Sequence, residues 1–205
     1  QFLASHDNHL RSVLCGPYTV QSSAPRLVEN FLDMAHFSFV HEGYLGDALL
    51  PQVANYEVTL TAGTLKASSC KAWQPQSNAH STQSALIEYE YYLDHPYSAV
   101  LSKVPPSGAS AKDNYRESIA LWICPETPTR CKVWFTLAVA DFETEDAVFQ
   151  AFQDTIFLQD QPILESQKPA LLPVYQDTEL HCAADKTSAM YRRLLKQWGI
   201  RFGVC

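Results

Sequence analysis

Alternating apolar and polar positions dominate the middle of the chain and predict antiparallel strands. Residues 54–60 (ANYEVTL) alternate, Ala62-Gly63 makes a turn, and residues 64–73 return. Residues 86–93 (LIEYEYYL) set Ile87, Tyr89 and Tyr91 on one face. Glu88, Glu90 and Tyr92 fall on the other, a solvated face. Residues 99–104 form a further short strand. Residues 115–124 and 131–142 read as a hairpin turning over 125–130, with Trp122 and Trp134 expected in the core. Residues 1–11 are polar and loop-like, and 13–22 form a strand broken by Gly16-Pro17.

Helical signals stand at three places. Pro25 suits the first turn of a helix, where its missing N–H would be unpaired anyway. Thr144 reads as an N-cap, with Glu145 and Asp146 at the favourable end of the dipole. The helix it starts runs through Ala147, Val148, Ala151, Phe152 and Ile156. Pro162 predicts a kink or restart near Asp160-Gln161, with a second short helix over 162–168. After an extended stretch at 170–178, residues 185–198 form an amphipathic helix. Met190, Leu194, Leu195 and Trp198 face inward, and Lys186, Arg192, Arg193 and Lys196 face outward. Polar loops fill 74–83, with a solvated His80, and 105–114.

Composition narrows the classes. A chain of 205 residues with 46% hydrophobic content can bury a substantial core. The net charge of −7 argues against nucleic acid as a partner. No apolar run approaches the ~18 residues of a membrane span, and the N-terminus lacks the apolar region of a signal peptide. The chain opens on Gln, so a fragment of a longer protein is expected. Six cysteines form no Cys-x2-Cys pair. Cys124 and Cys131 could bridge their hairpin, but free, mostly buried thiols in a reducing cytoplasm are the favoured reading.

The chemistry concentrates in residues 28–47 (VENFLDMAHFSFVHEGYLGD), where Asn30, Asp33, His36 and His41 sit among aromatic and aliphatic side chains. A buried imidazole must be hydrogen-bonded or bound to something. Asp33 stands three residues before His36, close enough on a helix for a carboxylate to orient a metal-ligating imidazole. His36 and His41 are five apart, a rotation of about 140° on a straight helix. For both rings to reach one ion the helix must end between them, with Gly43 and Gly46 reversing the chain.

This Asn-x2-Asp-x2-His-x4-His pattern resembles the catalytic domain of Rieske non-haem iron oxygenases, in the vanillate O-demethylase and phenylpropionate dioxygenase-like branch. The resemblance implies an α+β helix-grip fold (Bet v1/START-like), an antiparallel sheet packed against a long C-terminal helix. It implies that residues 1–24 are linker and leading strand, and 25–205 a mononuclear-iron catalytic domain. Its metal ligands would be His36, His41 and a downstream carboxylate. Asp160, in Asp160-x4-Glu165-x-Gln167, matches the family's local pattern, with Asp154 as the alternative; Glu165 would make a structural contact. Asp33 would be the bridging aspartate towards a Rieske cluster on a neighbouring subunit, and Asn30 the asparagine beside the iron. The implied partners are a small aromatic substrate, O2 and an NAD(P)H-dependent reductase or ferredoxin, in a homotrimer. The [2Fe-2S] ligands, two cysteines and two histidines, come in the family as Cys-x-His and Cys-x2-His. Neither occurs in these 205 residues. Two rival readings stand beside this one: a helix-grip module binding a hydrophobic or aromatic ligand without oxygen chemistry, and a zinc hydrolase using the same ligands.

Overall fold

A computed structural model describes residues 2–76, 84–104 and 116–205. Residues 77–83 of the polar stretch, with His80, and residues 105–115 lie outside the described residues; Gln74, expected to open that loop, instead ends a strand and is buried. The alternating segments pair as seven antiparallel strands in the order β1-β7-β6-β5-β4-β3-β2. They are β1 (Arg11–Val20), β2 (Glu57–Thr61), β3 (Thr64–Gln74), β4 (Ala85–His95), β5 (Ser98–Lys103), β6 (Ser118–Thr127) and β7 (Arg130–Val139). Four helices join them: α1 (Ala24–Leu32), α2 (Phe37–Val40), α3 (Asp146–Ser166) and α4 (Lys186–Gln197). The chain is therefore α+β, an antiparallel sheet with a C-terminal helix, although the longest helix is α3.

Period-two burial gives the sheet its inner face. Cys131, Val133, Phe135 and Leu137 alternate along β7, and Tyr89, Tyr91 and Leu93 along β4, all buried. Two bulges keep the pattern in phase, between Cys15 and Tyr18 beside Gly16-Pro17, and between Ala67 and Cys70. The β2–β3 hairpin turns on Ala62 and Gly63, both at positive φ (50° and 79°), the type I′ geometry that follows strand twist. Glu88 and Glu90 pair with Lys71, Lys66 and Arg116 on the outer face.

Several local expectations change. Trp122 and Trp134 do not enter the core. They pair across β6 and β7, and with Phe2 and Tyr92 they line an outer-face groove of about 550 Å³. Cys124 is exposed and Cys131 buried, and all six cysteines are free. Adjacent positions on facing strands (Cys131 pairs with Pro125) point to opposite faces, which rules out the bridge. Glu145, not Thr144, caps α3, because the Thr144 N–H and hydroxyl both donate to the Asp141 carboxylate.

Helix α3 runs through Pro162 without a break. The carbonyl deprived of its donor belongs to Leu158, an exposed residue, so the lost bond falls on the solvent side. Its buried face is Phe149, Gln153, Ile156, Phe157, Asp160 and Leu164, so of the apolar residues read from the sequence only Ile156 is buried. On α4, Arg192 is buried rather than outward. It holds the Glu29 carboxylate through Nε and Nη2 (2.6 and 2.8 Å) and Glu179 at 2.6 Å. Arg26 of α1 reaches Glu179 as well, at 2.5 Å. This four-charge cluster ties the helix leading into the His motif to the terminal helix.

Candidate metal centre

Ser23 accepts the Arg26 N–H at the start of α1, and the helix stops at Leu32 as Asp33 turns extended (φ −87°, ψ 136°). Asp33 and His36 therefore do not share a helical face. They meet through a tight turn in which Asp33 Oδ1 accepts the Ala35 N–H, and Oδ2 accepts the His36 N–H and contacts His36 Nδ1 at 2.8 Å. Burial pushes the Asp33 carboxyl upward. The His36 ring beside it and the two backbone donors outweigh this and hold it below the usual carboxylate range.

The helix does not end between the histidines as expected; a single turn, α2, stands between them, with His36 before it and His41 after it. His41 leaves helical geometry (φ −110°, ψ 33°), and the two ring centroids come within 5.0 Å. Gly46 packs against this turn: a Cβ there would meet the Phe37 carbonyl and Ser38 nitrogen at 2.5 Å.

Asp160 comes from the buried face of α3. Its Oδ1 lies 3.5 Å from His36 Nε2 and 3.2 Å from His41 Nε2, and the three ligand-capable atoms fall within 4.8 Å of one another. His41 is 1% and Asp160 8% exposed. Asp160 Oδ1 has no hydrogen-bond donor. The other nitrogen of each ring faces an acceptor: Asp33 for His36, and Gln159 Oε1, at 2.8 Å, for His41. The Nδ1–H tautomer is therefore assigned to both rings, the form in which both Nε2 atoms offer lone pairs to a cation. Two imidazole lone pairs and one orphaned carboxylate oxygen converge on a point with nothing positive between them. That donor set fits a divalent cation, and two histidines with one carboxylate suit iron. Among the described residues this is the one group of three or more His, Cys, Asp or Glu with that spacing.

Asp154, the alternative carboxylate, is exposed and accepts the Tyr18 hydroxyl. Glu165 makes the expected structural contact, accepting from the Gln21 N–H and Gln161 Nε2. Gln159 escaped the sequence reading altogether. The polar Gln153 and Asp160, seven apart on an apolar helix face, were the available signal for this region.

Three cavities meet around the cluster. A chamber of about 80 Å³ holds the ligand atoms and is walled by Phe31, Phe37, Tyr91, Phe135 and Phe157. A chamber of about 220 Å³ shares its Phe37, Leu45, Leu101, Ile119, Gln153 and Ile156 walls. On the other side, a polar cavity of about 340 Å³ carries Asp33, Glu29, Arg26 and Glu179. Asn30 lines both the polar cavity and the ligand chamber.

Residues 20–201 match the vanillate O-demethylase oxygenase C-terminal domain. The chain belongs to that family of Rieske oxygenase catalytic domains. Among curated proteins it is 33% identical over 195 residues to the probable methylxanthine N7-demethylase NdmC of Pseudomonas sp. (strain TJI-51), covering 94% of this chain and 68% of the relative. It is 28% identical to the methylxanthine N1-demethylase NdmA of Pseudomonas putida, covering 96% of this chain and 53% of the relative. The solved Pseudomonas putida CBB5 NdmA with caffeine superposes with a TM-score of 0.79 at 27% identity, over 96% of this chain and 54% of that one. Dicamba monooxygenase bound to 3,6 dichlorosalicylic acid shares the fold, with a TM-score of 0.72 at 16% identity, over 98% of this chain and 64% of that one. The chain thus spans about two thirds of NdmC and about half of NdmA. No helix among the described residues is long and apolar enough to cross a membrane.

Proposed function

We propose that this chain is the mononuclear-iron half of a Rieske-type oxygenase that removes a methyl group from a small ring compound. The observation that carries the reading is the convergence of His36 Nε2, His41 Nε2 and Asp160 Oδ1 in a chamber walled by aromatic rings. These three residues would hold Fe(II), which when bound supplies O2 activation. The relatives named as methylxanthine demethylases support an N-methyl heterocycle as substrate.

The residues divide the work. Asp33 and Gln159 hold the two imidazoles by their Nδ1 protons, keeping Nε2 available. Asp33 also lines the polar cavity, and it takes the role of the bridging aspartate towards a Rieske cluster on another subunit, with Asn30 beside it. Such a cluster, and a reductase or ferredoxin behind it, would supply electrons singly. The aromatic walls exclude water and hold the ring. In a demethylation the methyl carbon is oxidised to the level of formaldehyde. Two electrons and two protons from outside the chain reduce the second oxygen atom to water.

The test is metal analysis of anaerobically purified protein after Fe(II) is added back, for wild type and His36→Ala. About one iron per chain in the wild type, lost in the variant, is expected. No iron in either would leave a helix-grip module for a hydrophobic ligand as the better account.

A further inference from the structure

The larger chamber contains a polar group that neither the metal cluster nor the sheet uses. Gln74, the last residue of β3, is 1% exposed, and its Oε1 accepts the Tyr89 hydroxyl at 2.8 Å. Its Nε2 has no partner. Turning the amide over exchanges the two atoms without curing the deficit, since one hydroxyl can satisfy only one of them. A buried amide left in this state is costly unless something completes it. Both side chains line the 220 Å³ chamber, which the metal-binding side chains do not line.

The charged groups of that chamber already have partners: Lys103 faces Glu117 at 3.8 Å, and the Asp141 carboxylate accepts the Thr144 N–H and hydroxyl. What the chamber offers a ligand is therefore an amide, not a cation in search of an anion. We propose that Gln74, oriented by Tyr89, is a specificity anchor that donates to a ring carbonyl oxygen of a neutral heterocycle. The proposal rests on the demethylase reading of the neighbouring metal site and narrows its substrate class. A ring edge without an acceptor leaves the amide unpaired, and a carboxylate brings an unmatched charge into an enclosed space. Both are selected against.

The test uses this chain loaded with Fe(II) under anaerobic conditions, and calorimetric titration with three probes: caffeine, 1-methylindole and vanillate. Wild type should bind caffeine about tenfold more tightly than either of the others. Gln74→Met should weaken caffeine by about tenfold while leaving 1-methylindole and the iron content unchanged. Tyr89→Phe should act in the same direction, and it carries the comparison if thermal unfolding shows that Gln74→Met does not fold. Unchanged caffeine binding in the variants, equal weakening of both neutral probes, or no wild-type preference for caffeine overturns the anchor. Iron measured on the same samples separates the two readings. One iron per chain with no Gln74 effect overturns the anchor alone. No iron in the wild type overturns the oxygenase reading, whereas a Gln74-dependent preference for caffeine would leave the anchor standing.

Discussion

In the proposed centre two histidines serve as a pair of metal donors because each has its other nitrogen occupied. Asp33 and Gln159 are unlike partners, one a partly buried carboxylate opening on a polar cavity, the other a neutral amide on α3. Replacing Gln159 with Leu frees His41 to change tautomer and rotate. Iron affinity should fall by about 10–100-fold, read by competition with a chelator, while His36 keeps its Asp33 contact. The sequence pointed to Asn30, Asp33, His36 and His41 through their spacing, and to Asp160 through its local pattern with Glu165. Gln159 and Gln74 were silent because nothing in a lone glutamine announces a partner 118 residues away in one case, or on the next strand in the other.

The one-turn helix α2 brings His36 and His41 together, and its placement depends on how closely the loop at 42–46 approaches it. Gly46→Ala puts a methyl group 2.5 Å from the Phe37 carbonyl and the Ser38 nitrogen, backbone atoms that cannot swing aside. The variant should lose about 1–3 kcal/mol of stability. Iron affinity should weaken with it, as thermal unfolding and metal titration on the same sample would reveal. Strands were legible because one face of the sheet is buried and alternation follows. Helices were less so. Pro162 signals a break, yet α3 tolerates it where the orphaned carbonyl is exposed. The apolar residues read for α3, Ala147, Val148 and Ala151, are exposed, while the polar Gln153 and Asp160 lie on its buried face. Arg192 misled in the same way: its charge suggests solvent, and its partners come from α1 and residue 179.

Across the molecule, the Arg26–Glu29–Glu179–Arg192 cluster makes the register between the first and last helices sensitive to acid. Burial pushes Glu179 upward, but hydrogen bonds and charge from Arg26 and Arg192 dominate and hold it below the ordinary glutamate value of 4.5. A depressed carboxyl contributes stability above its unfolded value and loses it as pH falls through the folded one. Unfolding midpoints in urea should therefore drop below about pH 4.5 in the wild type. Glu179→Gln should remove about 2–3 kcal/mol at neutral pH and flatten that acid limb. A wild type and variant with parallel pH profiles would show that the cluster does not govern acid stability.

The cluster at the centre also joins distant parts of the polypeptide. His36 and His41 follow the first helix, whereas Asp160 stands beyond every strand of the sheet, on α3. An ion seated among them would act as a clasp, closing a covalent loop that contains six of the seven strands and forbidding the unfolded chain most of its freedom between those points. Loading the centre thus amounts to folding the domain more tightly.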